Sequence, residues 1–250
     1  MGERIPEVQV NGLDGLSLTA FISRRNFANF ALVLDMSAQS YKIYFNESAL
    51  VIADSPSALR GLSNLYYIGD DELHKSFKIL MSTETYGRVM NFGLICPEPE
   101  AVFNEFKSDY TVIQAAGGLV FNKQNQMLTI KRNGIWDMPK GKIERHEDRM
   151  AAALREVMEE TGINMLNISD KVGESYHAYY EEDAIMLKET HWYFMNCTGK
   201  ATLKPQVEEG ISEVRFVDLD WFRSEEFSSY QSIRDVVKRA LDKLAEAKAL

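Results

Sequence analysis

The segment 111–162 constrains the fold more than any other part of the chain, because three strand patterns precede one amphipathic helix with a defined end. An apolar run with Gly117 and Gly118 inside it predicts a strand that contains a bulge or lies very close to another backbone. A helical pattern over 148–161 stops at Gly162, and glycine is the residue type expected just past a helix end. The three predicted strands cover 111–121, 127–131 and 135–138.

Further elements extend this unit to the end of the chain. Three more strand patterns are followed by a helix whose apolar residues recur along one stripe, which is typical of a helix packed on a core. These elements cover 172–179, 185–197, 213–217 and 232–244. The sequence therefore predicts one domain over 110–250.

The part of the chain before residue 110 predicts a second, smaller domain. Alternating residues and the turn formers at 46–47 indicate a hairpin. A helix, a strand and a short helix opened by prolines follow. The predicted hairpin strands are 41–45 and 49–53, and the later elements are 70–81, 89–95 and 97–107. We expect a small α+β domain over 36–109 that carries no chemical motif, and whose role is open.

The first 35 residues allow two interpretations. They combine a glycine-rich start with an apolar patch, which fits a loose, disordered extension or an upstream start that is not used. A helix over 18–34 that packs on the body of the protein is the alternative. Limited proteolysis at the Arg24–Arg25 bond distinguishes the two, because a packed helix protects that bond.

Composition excludes several classes of protein. The chain has 28 basic and 37 acidic residues, for a net charge of -9, which argues against coating nucleic acid or binding an anionic membrane. No apolar run reaches the roughly 18 residues of a membrane helix, and Arg24 and Arg25 interrupt the only candidate for a signal-peptide core. Cys96 and Cys197 form no disulfide or zinc pattern, so we expect a cytoplasmic protein.

Three glutamates in the helix over 148–161 are the first sign of chemistry. Glu156, Glu159 and Glu160 stand at i, i+3 and i+4, which places their carboxylates within one helical turn. Such acceptor-only groups suit a hard divalent cation, Mg²⁺ or Mn²⁺. A solvated acidic face is the alternative. The apolar face of this helix is predicted to contain Met150, Leu154, Val157, Met158 and Thr161.

A basic loop precedes this acidic helix. Residues 131–145 hold five basic side chains against two acidic ones, and residues 146–160 hold two basic against five acidic. Lys140 and Lys142 flank Gly141, and Arg132 lies shortly before them. A metal–diphosphate complex needs this combination, because carboxylates hold the metal while cations meet the remaining phosphate oxygens.

The spacing of these residues resembles the Nudix box. Gly141, five residues, Glu147, seven residues and then the run 155–163, Arg-Glu-Val-Met-Glu-Glu-Thr-Gly-Ile, match that motif without a departure. The resemblance covers 110–250 and leaves the first 109 residues unexplained. It implies a mixed sheet sandwiched between helices, and hence an α+β protein in which a small α+β domain precedes a Nudix-type domain.

The resemblance also implies an activity and a set of roles. Nudix hydrolases cut a diphosphate linkage in a nucleoside diphosphate joined to another moiety. Positions that match the metal ligands are Glu156, Glu159, Glu160 and the Gly141 carbonyl, and Glu156 also matches a general base. Arg155 and Glu147 match positions that brace the catalytic loop. Glu208 and Glu209 are candidates for a base or a further metal ligand from a later loop.

The substrate is predicted from two tyrosines that follow the box. Tyr179 and Tyr180 lie in the window where members acting on dinucleoside polyphosphates often carry a tyrosine, and no proline typical of ADP-ribose members is present there. A ring at this position can stack on a base. A tyrosine pair at a strand end, with one ring packed and one exposed, is the alternative.

The sequence allows several interpretations of the function. We expect a small-molecule nucleotide substrate bound by Lys140, Lys142 and Arg132, with no nucleic-acid or membrane partner and with a homodimer left open. ADP-ribose and nucleotide sugars are alternative substrates. A nucleotide-sensing module without catalysis and a prenyl diphosphate isomerase are the alternatives of another class.

Overall fold

The computed structural model of the protein describes residues 39–82, 88–199 and 202–249. The predicted extension 1–35 and its alternative helix over 18–34 lie outside the described residues.

The described residues form one large mixed sheet and four α-helices. The sheet has the order β11-β6-β5-β10-β9-β1-β2-β4-β3, with β7 paired to β6 and β8 paired to β5. The strands are β1 Ser40–Phe45, β2 Ser48–Ala53, β3 Leu65–Tyr67, β4 Asn91–Ile95, β5 Thr111–Phe121, β6 Met127–Arg132, β7 Ile135–Asp137, β8 Lys140–Lys142, β9 Leu166–Glu181, β10 Ala184–Cys197 and β11 Ile211–Val217. The helices are α1 Leu73–Ser82, α2 Pro99–Ser108, α3 Arg149–Thr161 and α4 Gln231–Ala249.

Helices cover both faces of the central strands, which confirms the predicted α+β fold with its sheet between helices. Adjacent residues of β5 illustrate this, because successive side chains of a strand point to opposite faces. Val120 packs in the core shared with α3, and Leu119 packs in the core shared with α4. The described part of the chain contains no helix long and apolar enough to span a membrane.

Two of the three-residue strands, β3 and β8, were missed by the sequence analysis. β3 is a three-residue edge strand with two exposed tyrosines, Tyr66 and Tyr67, so it lacks alternating burial. β8 reads Lys-Gly-Lys and has no apolar residue. It is a strand because it pairs with 115–117 of β5, a tertiary contact that no local pattern predicts.

Gly117 of β5 permits the close backbone approach that was predicted. An added Cβ at Gly117 would lie 2.5 Å from the Pro139 carbonyl oxygen, and the Gly118 N–H donates to that same oxygen at 3.1 Å. The register between β5 and β10 runs without a shift, so the alternative of a bulge is wrong for this pairing. The segment that precedes β8 is thereby held against the middle of β5.

The predicted apolar face of α3 is partly wrong. Met150 and Met158 are 46% and 41% exposed, whereas Ala152 and Ala153 are fully buried. The small alanines face the sheet because they let the helix backbone approach β5 more closely than methionines allow. This rotation of the helix also turns Glu160 towards the core.

Strands from both predicted domains belong to the same sheet. β1 pairs in parallel with β9, through Ile43 with Tyr176 and Tyr44 with His177. Residues 38–250 form one compact unit. The division at residue 109 into domains that fold independently stays a prediction.

Candidate active site

The ends of α3 are fixed by local hydrogen bonds, and this fixes the glutamates that the helix carries. The Asp148 carboxylate accepts from the Met150 and Ala151 N–H groups at 2.8 and 3.3 Å, which caps the first turn. Gly162 adopts the left-handed conformation with φ 77° and closes the last turn. The predicted start and end of this helix are therefore confirmed to within one residue.

Arg155 is the hub of the candidate site. Its Nε and Nη2 donate to the two Glu147 carboxylate oxygens, both at 2.8 Å, in a bidentate pair. Its Nη1 donates to Glu156 at 2.7 Å and to Glu159 at 3.0 Å, so the pairing predicted between Arg155 and Glu159 is present. A further bond to the Lys142 carbonyl at 3.0 Å ties the helix to β8. Hydrogen bonding to Arg155 lowers the pKa of Glu147 to about 2.

Glu156 packs directly on the backbone of Gly141. A Cβ added at Gly141 would overlap the Glu156 carboxylate, so no larger residue fits there without displacing it. Gly141 itself is a β8 residue paired with Ala116. Burial raises the pKa of Glu156, and the hydrogen bond and charge of Arg155 oppose that rise.

Glu160 is 2% exposed, in contrast to Glu159 on the surface of the helix. Its two oxygens accept from Arg132 Nη1 at 3.1 Å and from the Lys140 N–H at 3.0 Å. Burial raises its pKa to about 7, although the charges of Lys140 and Arg132 act in the opposite direction. Arg132 also pairs with Glu209, which brings the later loop to the same place.

The donor set suits a divalent cation, although the acidic side chains are occupied by arginines in this arrangement. Within residues 39–82, 88–199 and 202–249, no three His, Cys, Asp or Glu side chains converge as a ready metal site. One guanidinium bridges Glu156 and Glu159, and another bridges Glu160 and Glu209. These all-oxygen donors match the ligand preference of Mg²⁺ and Mn²⁺. Because Gly141 has no side chain, the Glu156 carboxylate can lie directly against its backbone.

The two predicted lysines lie on one face of β8. Lys140 pairs with Gly117 and Lys142 pairs with Ala115, and residues two apart on a strand share a face. The Lys140 ammonium donates to the Asp137 carboxylate, which also accepts from the Met138 N–H at 2.7 Å. Asp137 is a buried acid that the sequence analysis did not single out.

Strand registers bring Tyr179 to the same face as these lysines. Lys142 pairs with Ala115, Ala115 with Thr190, and Thr190 with Ser175. Paired residues of neighbouring strands share a face, and Tyr179 lies four residues from Ser175 along β9. The lysines and this ring are therefore on one surface of the sheet.

The adjacent tyrosine points to the opposite face. Tyr180 is 49% exposed and its ring meets that of Phe45 edge-on at 6.2 Å. Tyr179 is partly buried and its ring stacks on His177 with a 14° interplanar angle. The structure thus separates the two tyrosines that the sequence analysis grouped, and it puts only Tyr179 on the sheet face that carries the lysines.

His177 is a candidate site residue that the sequence analysis missed. Burial and the neighbouring cations Lys188 and Lys140 lower the pKa of its imidazole to about 4, so the ring is neutral at pH 7. A neutral ring stacked beside Tyr179 suits contact with a base better than contact with a phosphate. The signal available in the sequence was its position two residues before Tyr179 on a predicted strand.

The pH dependence of stability tests this environment. Because the pKa of His177 is lowered from 6.5 to about 4, the unfolded chain takes up its proton first as the pH falls. We expect the free energy of unfolding to fall between pH 6.5 and about 4, and His177→Gln to flatten that slope. Lys188 and Lys140 favour the neutral ring and Asp137 opposes them. Urea denaturation across this range measures the effect, and an unchanged slope in the variant contradicts it.

Substitution of Arg155 tests the hub. Lysine keeps the charge but cannot make the bidentate pair with Glu147 while also reaching Glu156. We expect Arg155→Lys to lower the free energy of unfolding by about 1–3 kcal/mol and to reduce turnover. The matched control is Arg223→Lys, whose pair with Asp220 is exposed, and it should change stability by less than about 0.5 kcal/mol. Equal effects in chemical denaturation would show that Arg155 is an ordinary surface arginine.

The family model described as "NUDIX domain" matches residues 112–239, which is more than half of the chain. The protein belongs to this family.

Curated relatives resemble parts of the chain. A Bacillus subtilis (strain 168) protein named "Putative 8-oxo-dGTP diphosphatase" is 34% identical over 88 residues, which are 34% of this chain and 54% of that protein. The chain thus spans about half the length of this relative. An "RNA pyrophosphohydrolase" of Pelagibacter ubique (strain HTCC1062) is 26% identical over 145 residues, covering 50% of this chain and 91% of that protein.

Solved structures resemble about half of the chain. The MutT protein from Methanosarcina mazei Go1 is 24% identical with a TM-score of 0.42, and the match covers 52% of this chain and 94% of that one. A C. elegans Ap4A hydrolase in a binary complex is 19% identical with a TM-score of 0.43, and the match covers 54% and 98% of the two chains.

Proposed function

We propose that the protein hydrolyses a phosphoric anhydride bond of a nucleotide with the aid of a divalent cation, Mg²⁺ or Mn²⁺. The observation that carries this proposal is the packing of the Glu156 carboxylate on Gly141 while Arg155 holds both Glu156 and the Lys142 carbonyl. The helix glutamates and the lysine strand are thereby fixed against each other. Metal-assisted hydrolysis needs this combination of carboxylates and phosphate-binding cations.

The residues that would hold the cation are Glu156, Glu159 and Glu160, with the Gly141 carbonyl and Glu209 completing the set. A bound divalent cation supplies Lewis-acid polarisation of the phosphoryl oxygens. Binding requires Arg155 and Arg132 to release carboxylates that they now hold. The guanidinium of Arg155 keeps its bidentate anchor on Glu147 when Glu156 and Glu159 are released.

The chain's own residues supply the remaining steps. Glu156 accepts the proton of the attacking water. Arg155 and Glu147 are positioning residues that hold α3 against β8, because Arg155 keeps its bonds to Glu147 and to the Lys142 carbonyl. Lys140, Lys142 and Arg132 neutralise charge on the phosphate oxygens. Glu208 and Glu209 are the alternative sources of the base.

The proposed substrate is a dinucleoside polyphosphate. Tyr179 and His177 form a stacked pair on the sheet face that carries the lysines, which supports a base bound at one end of a polyphosphate chain. Tyr180 is a weaker candidate for substrate contact because its ring lies on the other face. The names of the relatives favour a second candidate, a nucleoside triphosphate or an RNA end.

A substrate panel tests the proposal. The purified protein is incubated with diadenosine tetraphosphate, ADP-ribose, a nucleotide sugar, 8-oxo-dGTP and a 5′-triphosphate RNA, with Mg²⁺, Mn²⁺ or EDTA. We expect turnover that EDTA abolishes, with the highest kcat/KM on diadenosine tetraphosphate. Nucleotide binding without turnover would overturn the proposal in favour of a sensing module. The homodimer and the cytoplasmic location stay predictions.

A further inference from the structure

Lys188 lies in the middle of the sheet, on β10 between β9 and β5. Its partners are His177 on β9 and Ile113 on β5. Paired residues share a face, so the Lys188 side chain stands beside the His177 ring. Ile113 is two residues from Ala115, the partner of Lys142, so Lys188 and Lys142 also share that face.

The ammonium group of Lys188 makes no hydrogen bond or ion pair with any residue that the structure describes. Two other partly buried lysines are paired with carboxylates, since Lys107 binds Glu189 at 3.1 Å and Lys140 binds Asp137, whereas Lys131 lies over the Trp136 ring. Glu189 is next to Lys188 in sequence but points to the opposite face. There it also accepts from Gln114 at 3.1 Å, so it cannot neutralise Lys188.

The surroundings of Lys188 carry an excess of positive charge. Burial lowers the pKa of its ammonium, and the charges of Lys140, Arg132 and Lys142 lower it further. Asp137 opposes them, but its carboxylate is already bound by Lys140. A half-buried cation without an anion is costly to maintain, and a phosphate group is the anion that this family of substrates brings.

We propose that Lys188 is a specificity-determining residue that binds a phosphate between the reacting anhydride and the base stacked on His177 and Tyr179. The inference rests on the proposed function and extends it, because it names the substrates preferred: nucleotides with three or more linked phosphates. Lys188 and the β8 lysines are separated by two strand spacings, about 10 Å across the sheet. A chain of three or more phosphates is expected to span this separation better than a diphosphate does.

The test is Lys188→Met, which removes the charge and keeps the length of the side chain. Kinetics are measured on diadenosine di-, tri-, tetra- and pentaphosphate and on ADP-ribose, all with Mg²⁺. We expect KM for the tetraphosphate to rise about tenfold or more, as for loss of one charge-assisted hydrogen bond, with kcat within about twofold. Both substrates with two phosphates should change by less than about twofold. Lys188→Arg should restore most of the affinity.

Two controls separate binding from folding. Lys123→Met alters an exposed lysine in the turn after β5 and should change no KM. Lys188→Met should melt at the same temperature as the wild type or higher, because it removes an unpaired, half-buried charge. A lower melting temperature with a uniform loss over all substrates would assign Lys188 a structural role and overturn the inference.

The outcomes also distinguish this inference from the proposed function. Wild-type turnover with unchanged KM values in Lys188→Met would overturn the role of Lys188 and leave the hydrolase standing. A wild type that turns over none of the substrates would overturn the hydrolase. Calorimetry with ATP and with ADP in EDTA then decides the role of Lys188. If Lys188→Met binds ATP more weakly than the wild type does but binds ADP equally well, the role is supported. If the two proteins bind ATP equally well, the role is overturned.

Discussion

Replacing Glu156 with glutamine is expected to lower kcat by about 10³-fold while the protein stays folded. The amide has nearly the shape of the carboxylate, but it cannot accept the proton of water and is a poor ligand for a divalent cation. The Arg155 Nη1 bond at 2.7 Å loses its charge on one side, which should cost no more than about 1 kcal/mol of stability. Steady-state kinetics on the best substrate of the panel and thermal denaturation measure the two effects.

The matched control for this variant is Glu105→Gln, which alters an exposed glutamate on α2 far along the chain from the box. It should leave kcat and melting temperature unchanged. If Glu156→Gln turns over at a near-normal rate, the base and the metal ligands are elsewhere. Glu209→Gln then becomes the variant to measure, because Arg132 brings Glu209 next to Glu160.

Replacing Gly141 with alanine is expected to abolish most activity through a single methyl group. The added Cβ would occupy the space of the Glu156 carboxylate, so the Glu156 side chain must move away from β8. We expect kcat to fall by about 10²-fold or more, since a displacement of about 1 Å at a catalytic group has this effect. The rest of α3 should stay in place, because its caps at Asp148 and Gly162 are not touched.

Gly69→Ala is the control for the glycine substitution. An added Cβ there approaches the tip of the Asp71 side chain at 2.9 Å, with the Glu72 Oε2 at an ordinary contact distance of 4.0 Å, in an exposed turn before α1. This tip can rotate away, so the variant should keep full activity. Metal titration followed by calorimetry provides a second readout for Gly141→Ala: wild-type affinity for Mn²⁺ in this variant would show that Glu156 does not bind the cation.

The sequence predicted the candidate site best where the chemistry lies within one helix and its flanking loop. The motif from Gly141 to the helix depends only on residues that are close in sequence, so it can be recognised without the tertiary structure. Helix α3 begins and ends within one residue of its prediction. The β1 strand was predicted from its alternating residues and the β5 strand from its apolar run, and both patterns are local as well. Local patterns fail for β8, because that strand exists only through its pairing with β5.

Tertiary structure shows contacts of several predicted residues that local patterns did not predict. Arg132, which is predicted to meet phosphate, also joins Glu160 to Glu209. Tyr180 was grouped with Tyr179, and strand alternation turns it to the other face. The helix face was predicted from apolar residues alone, and close packing on β5 favoured alanines over the methionines.

The amino-acid sequence by itself determined the family, the helix with its three glutamates, and the lysines that precede it, because these features depend on spacing along a short stretch of chain. Only the tertiary structure decided that β1 extends the sheet through β9 and that Lys188 and His177 stand on the face of the β8 lysines. Those relations depend on strand register between residues up to 133 positions apart, as for Ile43 and Tyr176. Register is set by packing of the whole sheet, which no local pattern encodes.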